Sequence, residues 1–218
     1  MASFTPDFDE QLGTALLHDP HSVETISILE KCVDLQVEKQ MYHSDANFAL
    51  LKLYKFFPAK RNLEKCEKIF SKALLNLEDF LPSQYLLPHT LQKSEAFVQI
   101  QELADALHTA EFETFWGKLK EASSVNSIPG FESDARNQIG NMLALAYQVL
   151  PYGVAKDALN CGSDADLKKF FAEQKWTISN DASSVEIPLN SENKPKEKKF
   201  EEHIQFHQVA PLLKIISK

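Results

Sequence analysis

Arginine is nearly missing: Arg61 and Arg136 are the only two in 218 residues. Its planar fork is the side chain best suited to guanine edges and phosphates, and the net charge is −8, so the chain has little of what unaided nucleic-acid binding needs. Glycine is scarce as well, with 6 residues. No GxSxG elbow, GxGxxG fingerprint or phosphate-binding loop occurs, which leaves catalysis without a visible carrier. The three cysteines, Cys32, Cys66 and Cys161, are odd in number and far apart, unlike the even, closely spaced sets of secreted scaffolds. No apolar run approaches the roughly 20 residues of a membrane span. Met1–Glu10 carries acids where a secretory signal would carry bases. These absences predict a soluble, cytoplasmic protein that holds other macromolecules and is not an enzyme.

The hydrophobic fraction of 44% and the 15 phenylalanines suffice for a packed core, because only chains poorer in apolar residues fail to offset the entropy of ordering. Their periodicity is helical. Thr5-Pro6 reads as a cap before Phe8, Leu12 and Leu16, and Asp19-Pro20 breaks the chain. Ser22 opens a helix to about Gln40 with Val23, Ile26, Leu29, Val33 and Val37 on its inner stripe, and Ser44 opens another that stops before Pro58. Asn62 caps a helix carrying Cys66, Ile69, Phe70, Ala73, Leu74 and Leu77, and Pro82 and Pro88 interrupt. Ser94 starts the next, with Phe97, Ile100, Leu103, Ala104 and Leu107. Phe112, Phe115, Trp116 and Leu119 line a short helix beyond it. Recurrence at roughly twenty residues predicts stacked helical hairpins without a fixed repeat motif, a HEAT-like helical-repeat domain over 1–127.

Ser123–Gly130 reads as a linker, and a second domain is expected over 128–218. There a helix from about Glu132 to Leu150 buries Ala135, Ile139, Met142, Leu143 and Ala146. Val154–Leu159 forms a short helix, and Ser163 with Asp166 caps a third that carries Leu167, Phe170 and Phe171. Alternation at Trp176 and Ile178, then at Val185, Ile187 and Leu189, predicts a β-hairpin. Three helices and a hairpin describe a winged helix. Asn190–Lys199 reads as a mobile linker, followed by a terminal helix with Val209, Leu212, Leu213 and Ile216 on one face.

Few residues invite chemistry. The third helix of a winged helix often enters a DNA groove, but Lys168, Lys169 and Lys175 are offset by Asp164, Asp166 and Glu173. A winged-helix nucleic-acid-binding regulator is thus the weaker alternative. Lys194, Lys196, Lys198 and Lys199 form a basic cluster that Glu197, Glu201 and Glu202 dilute. His203 and His207 stand four apart, the spacing at which two imidazoles share a metal, but no third ligand accompanies them. His18 and His21 flank a turn, and the cysteines fall on apolar stripes as structural thiols. The expectation is no metal and no cofactor. Val185, Ile187 and Leu189 on the hairpin, with Leu212, Leu213 and Ile216 on the last helix, are the candidate partner-binding residues, because strand edges and apolar helix faces are recurrent docking elements.

The stretch Tyr42–Pro58, with Asp45-Ala46-Asn47 and Leu50-Leu51-Lys52-Leu53-Tyr54, resembles the K-subunit family of eukaryotic translation initiation factor 3. Phe115-Trp116, Gly130-Phe131-Glu132 through Arg136, Trp176, and Lys194-Pro195-Lys196 leading to Ile204 and Phe206 match it in the same order. The resemblance implies a helical-repeat domain joined to a winged helix, an architecture related to the PCI subunits of the proteasome lid and the signalosome. It also implies a non-catalytic subunit at the periphery of the initiation factor, paired chiefly with the L subunit, on the small ribosomal subunit.

Overall fold

A computed structural model describes residues 4–18 and 21–195 and the single positions 209, 213 and 215. Its helices are α1 (Pro6–His18), α2 (Thr25–Glu38), α3 (Ser44–Phe56), α4 (Leu63–Ala73), α5 (Leu77–Gln84), α6 (His89–Gln92), α7 (Glu95–His108), α8 (Phe112–Leu119), α9 (Ser123–Asn126), α10 (Phe131–Ala146), α11 (Tyr152–Leu159) and α12 (Asp164–Glu173). A 3-10 turn, Pro58–Lys60, follows α3. Strand β1 (Val149–Pro151) lies between α10 and α11, and β2 (Thr177–Ile178) and β3 (Ser184–Glu186) follow α12.

Local chemistry sets several boundaries where expected. The Asn62 side chain accepts from the Lys65 amide at 3.4 Å to start α4. Ser163 accepts from the Asp166 amide at 3.2 Å while its hydroxyl reaches the Asp166 carboxylate at 2.8 Å, which starts α12. Others move. The ring of His43, one residue before Ser44, accepts from the Ala46 amide and caps α3. Thr25 rather than Ser22 begins α2, and Val23 is exposed in the preceding turn. Leu77 belongs to α5, which carries Pro82 inside it instead of being stopped there.

α3 runs through the middle of the first half. Ala46, Leu50, Leu51, Leu53 and Tyr54 are all buried on it, a wider stripe than a surface helix shows. Burial there includes a polar pair. Gln36 of α2 and Asn47 of α3 exchange two side-chain hydrogen bonds of 2.9 and 3.1 Å, and the Gln36 side-chain Oε1 also accepts from the His43 amide at 2.8 Å. With these partners neither buried amide is left unpaired, a condition that would cost about 1 to 3 kcal/mol.

The two halves share one apolar core, a single cluster from Phe4 to Ile187. The expected linker at 123–130 contains α9, with Val125 and Ile128 buried, and Gly130 adopts φ +74° to begin α10 against the side chain of Gln40. Trp116 of α8 joins the halves. Its indole donates to the Ala158 carbonyl at 2.8 Å and its ring lies 5.2 Å beneath the Arg136 guanidinium of α10. A further tie is Lys72 of α4, 6% exposed and 3.8 Å from Asp134. Burial pushes its ammonium pKa down and the Asp134 carboxylate opposes that shift.

α10 stops at Ala146, four residues short of the expected end, because Tyr147–Leu150 turns extended and Leu150 enters the sheet. The residue before a proline avoids helical dihedrals, and Leu150 precedes Pro151. The sheet order is β1-β3-β2, all antiparallel. Leu150 and Val185 are buried in one cross-strand row with the partly buried Ile178, while Val149, Glu186 and Thr177 form the exposed row.

Cys32 and Cys66 are buried, and burial raises their thiol pKa values to about 11 and about 12. Cys161 is partly exposed and its pKa is also raised by burial, with Arg136 opposing the shift. All three are therefore neutral thiols at physiological pH. A disulfide reagent at pH 8 should modify Cys161 slowly in the native chain and reach Cys32 and Cys66 only after denaturation. Rapid labelling of Cys66 in the native protein would contradict this packing. Trp116→Ala removes a ring that is 5% exposed together with its hydrogen bond and its contact with Arg136. The expected cost is about 3 to 5 kcal/mol. For a chain of this size that lowers the melting temperature by roughly 6 to 20 °C, and an unchanged melting curve would place Trp116 outside the core.

Candidate interaction surface

The sequence-derived partner residues divide into two groups. Val185 and Ile187 point into the chain's own core and are buried there. Leu189, two residues on, is 66% exposed. Nor does β3 offer a free edge, as the hairpin reading supposed: β1 pairs with it on the side opposite β2, so the outer strands of the sheet are β1 and β2. Val209, Leu213 and Ile215 are helical, and Leu213 is 51% exposed with Ile215 exposed beside it. Leu212 and Ile216 lie outside the described residues.

The segment 190–195, expected as linker, is tied down in its first half. The buried Asn193 side-chain amide donates to the carbonyls of Ala144, Tyr147 and Pro188 at 3.0, 3.2 and 3.0 Å, and Asn190 donates to Ala144 at 2.8 Å. The bonds to Ala144 and Tyr147 occupy carbonyls that the end of α10 leaves without helical partners. They also hold Leu189 near Tyr147. Leu145, Tyr147, Val149 and Leu189, all exposed, thus gather around the end of α10 and β1. Sequence reading missed β1, although Val149-Leu150 ahead of Pro151 was its signal.

Strand β1 carries Pro151, which brings no amide hydrogen to the sheet edge. The turn between β2 and β3 is closed by Asp181, which accepts from the hydroxyls of Ser179 and Ser183 at 2.5 and 2.7 Å. Those bonds hold its carboxyl pKa down at about 2.

On α12, the helix that the sequence reading set against a DNA groove, two ion pairs engage part of the charge. Lys169 lies 3.9 Å from Glu173, and Asp164 is held at 2.8 Å by Lys156 of α11. Arg136, one of the two arginines, is committed to Glu132 at 3.0 Å and to the Leu159 carbonyl at 3.2 Å. No group of three or more His, Cys, Asp or Glu side chains able to hold a metal occurs among the described residues, and His203 and His207 lie outside them. Nor is any described helix long and apolar enough to cross a membrane. What the geometry provides is an exposed apolar surface around the end of α10 and β1.

The model of the CSN8/PSMD8/EIF3K family matches residues 61–199. A relative from Nematostella vectensis, named eukaryotic translation initiation factor 3 subunit K, is 32% identical over 198 residues, which are 89% of this chain and 91% of that protein. The proteins of the same name from Homo sapiens and Dictyostelium discoideum are 31% and 30% identical, over 89% and 84% of this chain and 90% and 74% of their own lengths. With more than half of its residues matched by the family model and near full-length similarity to these relatives, the chain belongs to the CSN8/PSMD8/EIF3K family.

Proposed function

We propose that the chain is a non-catalytic scaffold subunit of eukaryotic translation initiation factor 3, acting in translation initiation on the small ribosomal subunit, with the L subunit as its chief neighbour. The observation that carries this reading is end-to-end similarity to subunit K proteins. Architecture supports it. The order α10, β1, α11, α12, β2, β3 is compatible with a winged helix preceded by helical hairpins in the manner of PCI subunits, and on this reading the two units divide near residue 127. The nucleic-acid regulator is disfavoured by the mixed charge of α12, where Lys168 and Lys169 stand among Asp164, Asp166 and Glu173, and by the scarcity of arginine.

The contact with the neighbouring subunit is assigned to the rim of the sheet and the C-terminal helical segment. Leu189, Val149 and Tyr147 supply exposed apolar area, and Leu213 supplies it from the last segment. Val185 and Ile187 serve from beneath by fixing the strand that positions Leu189, and Leu212 and Ile216 complete the helical stripe in sequence. Apolar side chains at the centre of an interface, ringed by polar ones, carry most of the binding energy.

Sedimentation of the tagged protein from cell extract tests the assignment. Co-migration with small ribosomal subunits and with other initiation factor subunits is expected, and migration apart from both would refute it. The double substitution Leu189→Asp with Leu213→Asp tests the surface. Both positions face solvent in the isolated chain, so its melting temperature should stay within about 2 °C, as for surface substitutions. Co-purification with the L-type subunit should fall roughly tenfold or more, because a charge would be buried unpaired in the contact.

A further inference from the structure

We infer that the C-terminal end of α3 and the turn after it form a second interaction surface, whose occupant is an acidic segment of a neighbouring protein that also carries an apolar side chain. The inference rests on the reading of the chain as a subunit of a complex, and it concerns the other half of the molecule from the sheet.

Charge is distributed unevenly in this acidic protein. From Ala46 to Leu63 the chain holds Lys52, Lys55, Lys60 and Arg61 and no acid at all. Lys52, Lys55 and Phe56 share the one face of α3 that is not buried, by their spacing of three and four residues. The 3-10 turn then brings Lys60 round to follow them. Asp45 lies two turns before Lys52 on the same face, but three other acids nearby are already engaged. Glu30 accepts from the Tyr54 hydroxyl at 2.6 Å, Glu64 pairs with Lys68 at 2.6 Å, and Asp34 pairs with both Lys65 and Lys68. Arg61 donates to the Tyr54 carbonyl at 2.9 Å and caps the helix. Lys52, Lys55 and Lys60 form no ion pair among the described residues, and all three are exposed. Three unengaged cations on a molecule of charge −8 focus a local positive field that only an anionic partner complements.

Beside them lies unusual apolar exposure. Phe56 is 64% exposed with its ring edge-on to His21 at 6.0 Å, which sets the α1–α2 turn against the end of α3. Leu17 and Val23, close to His21 in the chain, and Leu63, just after the 3-10 turn, are exposed as well. This composition selects between the two polyanions available to a ribosome-bound factor. RNA would use the cations and one aromatic face, but Leu17, Val23 and Leu63 have no π-face on which a base can stack. A peptide with carboxylates and a leucine or phenylalanine engages both kinds of side chain.

The test couples amines directly to carboxylates. The assembled complex, purified through the tagged full chain, is treated with a zero-length carbodiimide and the joined peptides are identified. Amide links from Lys52, Lys55 or Lys60 to Asp or Glu of another subunit are expected. In the variant K52E/K55E/K60E, with an unchanged melting temperature, that subunit should be retained roughly tenfold less at physiological salt. An intact complex in which these lysines stay uncoupled overturns the inference and leaves the subunit reading standing. Ultraviolet cross-links from residues 52–61 to ribosomal RNA overturn it in favour of a nucleic-acid contact. A chain that enters no such complex at all removes the subunit reading and this inference with it.

Discussion

The Trp116 indole is the contact on which the relation of the two halves depends. It is large enough to be core for α8, and it spends its one donor on the Ala158 carbonyl near the end of α11. Arg136 then covers the ring from α10 while bonding the Leu159 carbonyl. One side chain therefore fixes three helices at once, at a point where a helix end would otherwise leave carbonyls unpaired. The neighbouring α9, which packs Val125 into the same core, and the Lys72–Asp134 pair act in the same sense across α4 and α10.

The polar pair Gln36–Asn47 has a different consequence. Apolar stripes alone let helices slide and rotate with little penalty, provided that volume is conserved. Two amides that must face each other in a dry interior allow few other registers of α2 on α3, since any slip leaves donors and acceptors unpaired. The exposed face of α3, with Lys52, Lys55 and Phe56, is set by the same constraint that buries Leu50 and Tyr54 on its other sides.

The core consumes most of the aromatic residues, but Tyr147, Val149, Leu189 and Phe56 stay outside it at positions determined by strand ends and helix ends. At the sheet, Pro151 withholds an amide hydrogen from the rim strand. Apolar area and shape thus carry more of any contact there than backbone pairing does. At the end of α3 the balance shifts toward charge, which favours rate and selectivity of association over raw affinity.

The sequence by itself determined the helical class, the caps at Asn62 and Ser163, most of the inward stripes and the absence of a recognisable catalytic motif. These follow from local periodicity and from residue chemistry within a few positions: Asn62, Ser163, Phe97 and Leu103 do what their spacing says. The family was legible in the order of short motifs such as Phe115-Trp116 and Gly130-Phe131-Glu132. Only the tertiary structure decided which apolar residues are core and which are surface once period ceased to discriminate. Val185, Ile187 and Leu189 alternate in sequence as one set, yet the first two are buried in the core and Leu189 is left to solvent. Strand pairing between Leu150 and Val185, thirty-five positions apart in the numbering, has no local signature, and neither has the reach of Asn193 back to Ala144. The same holds for the supposed linker at 123–130, whose polar composition says loop while Val125 and Ile128 find a buried site between helices far away in sequence. Long-range contacts are chosen by the shape of the whole core, and no window of the chain contains that shape.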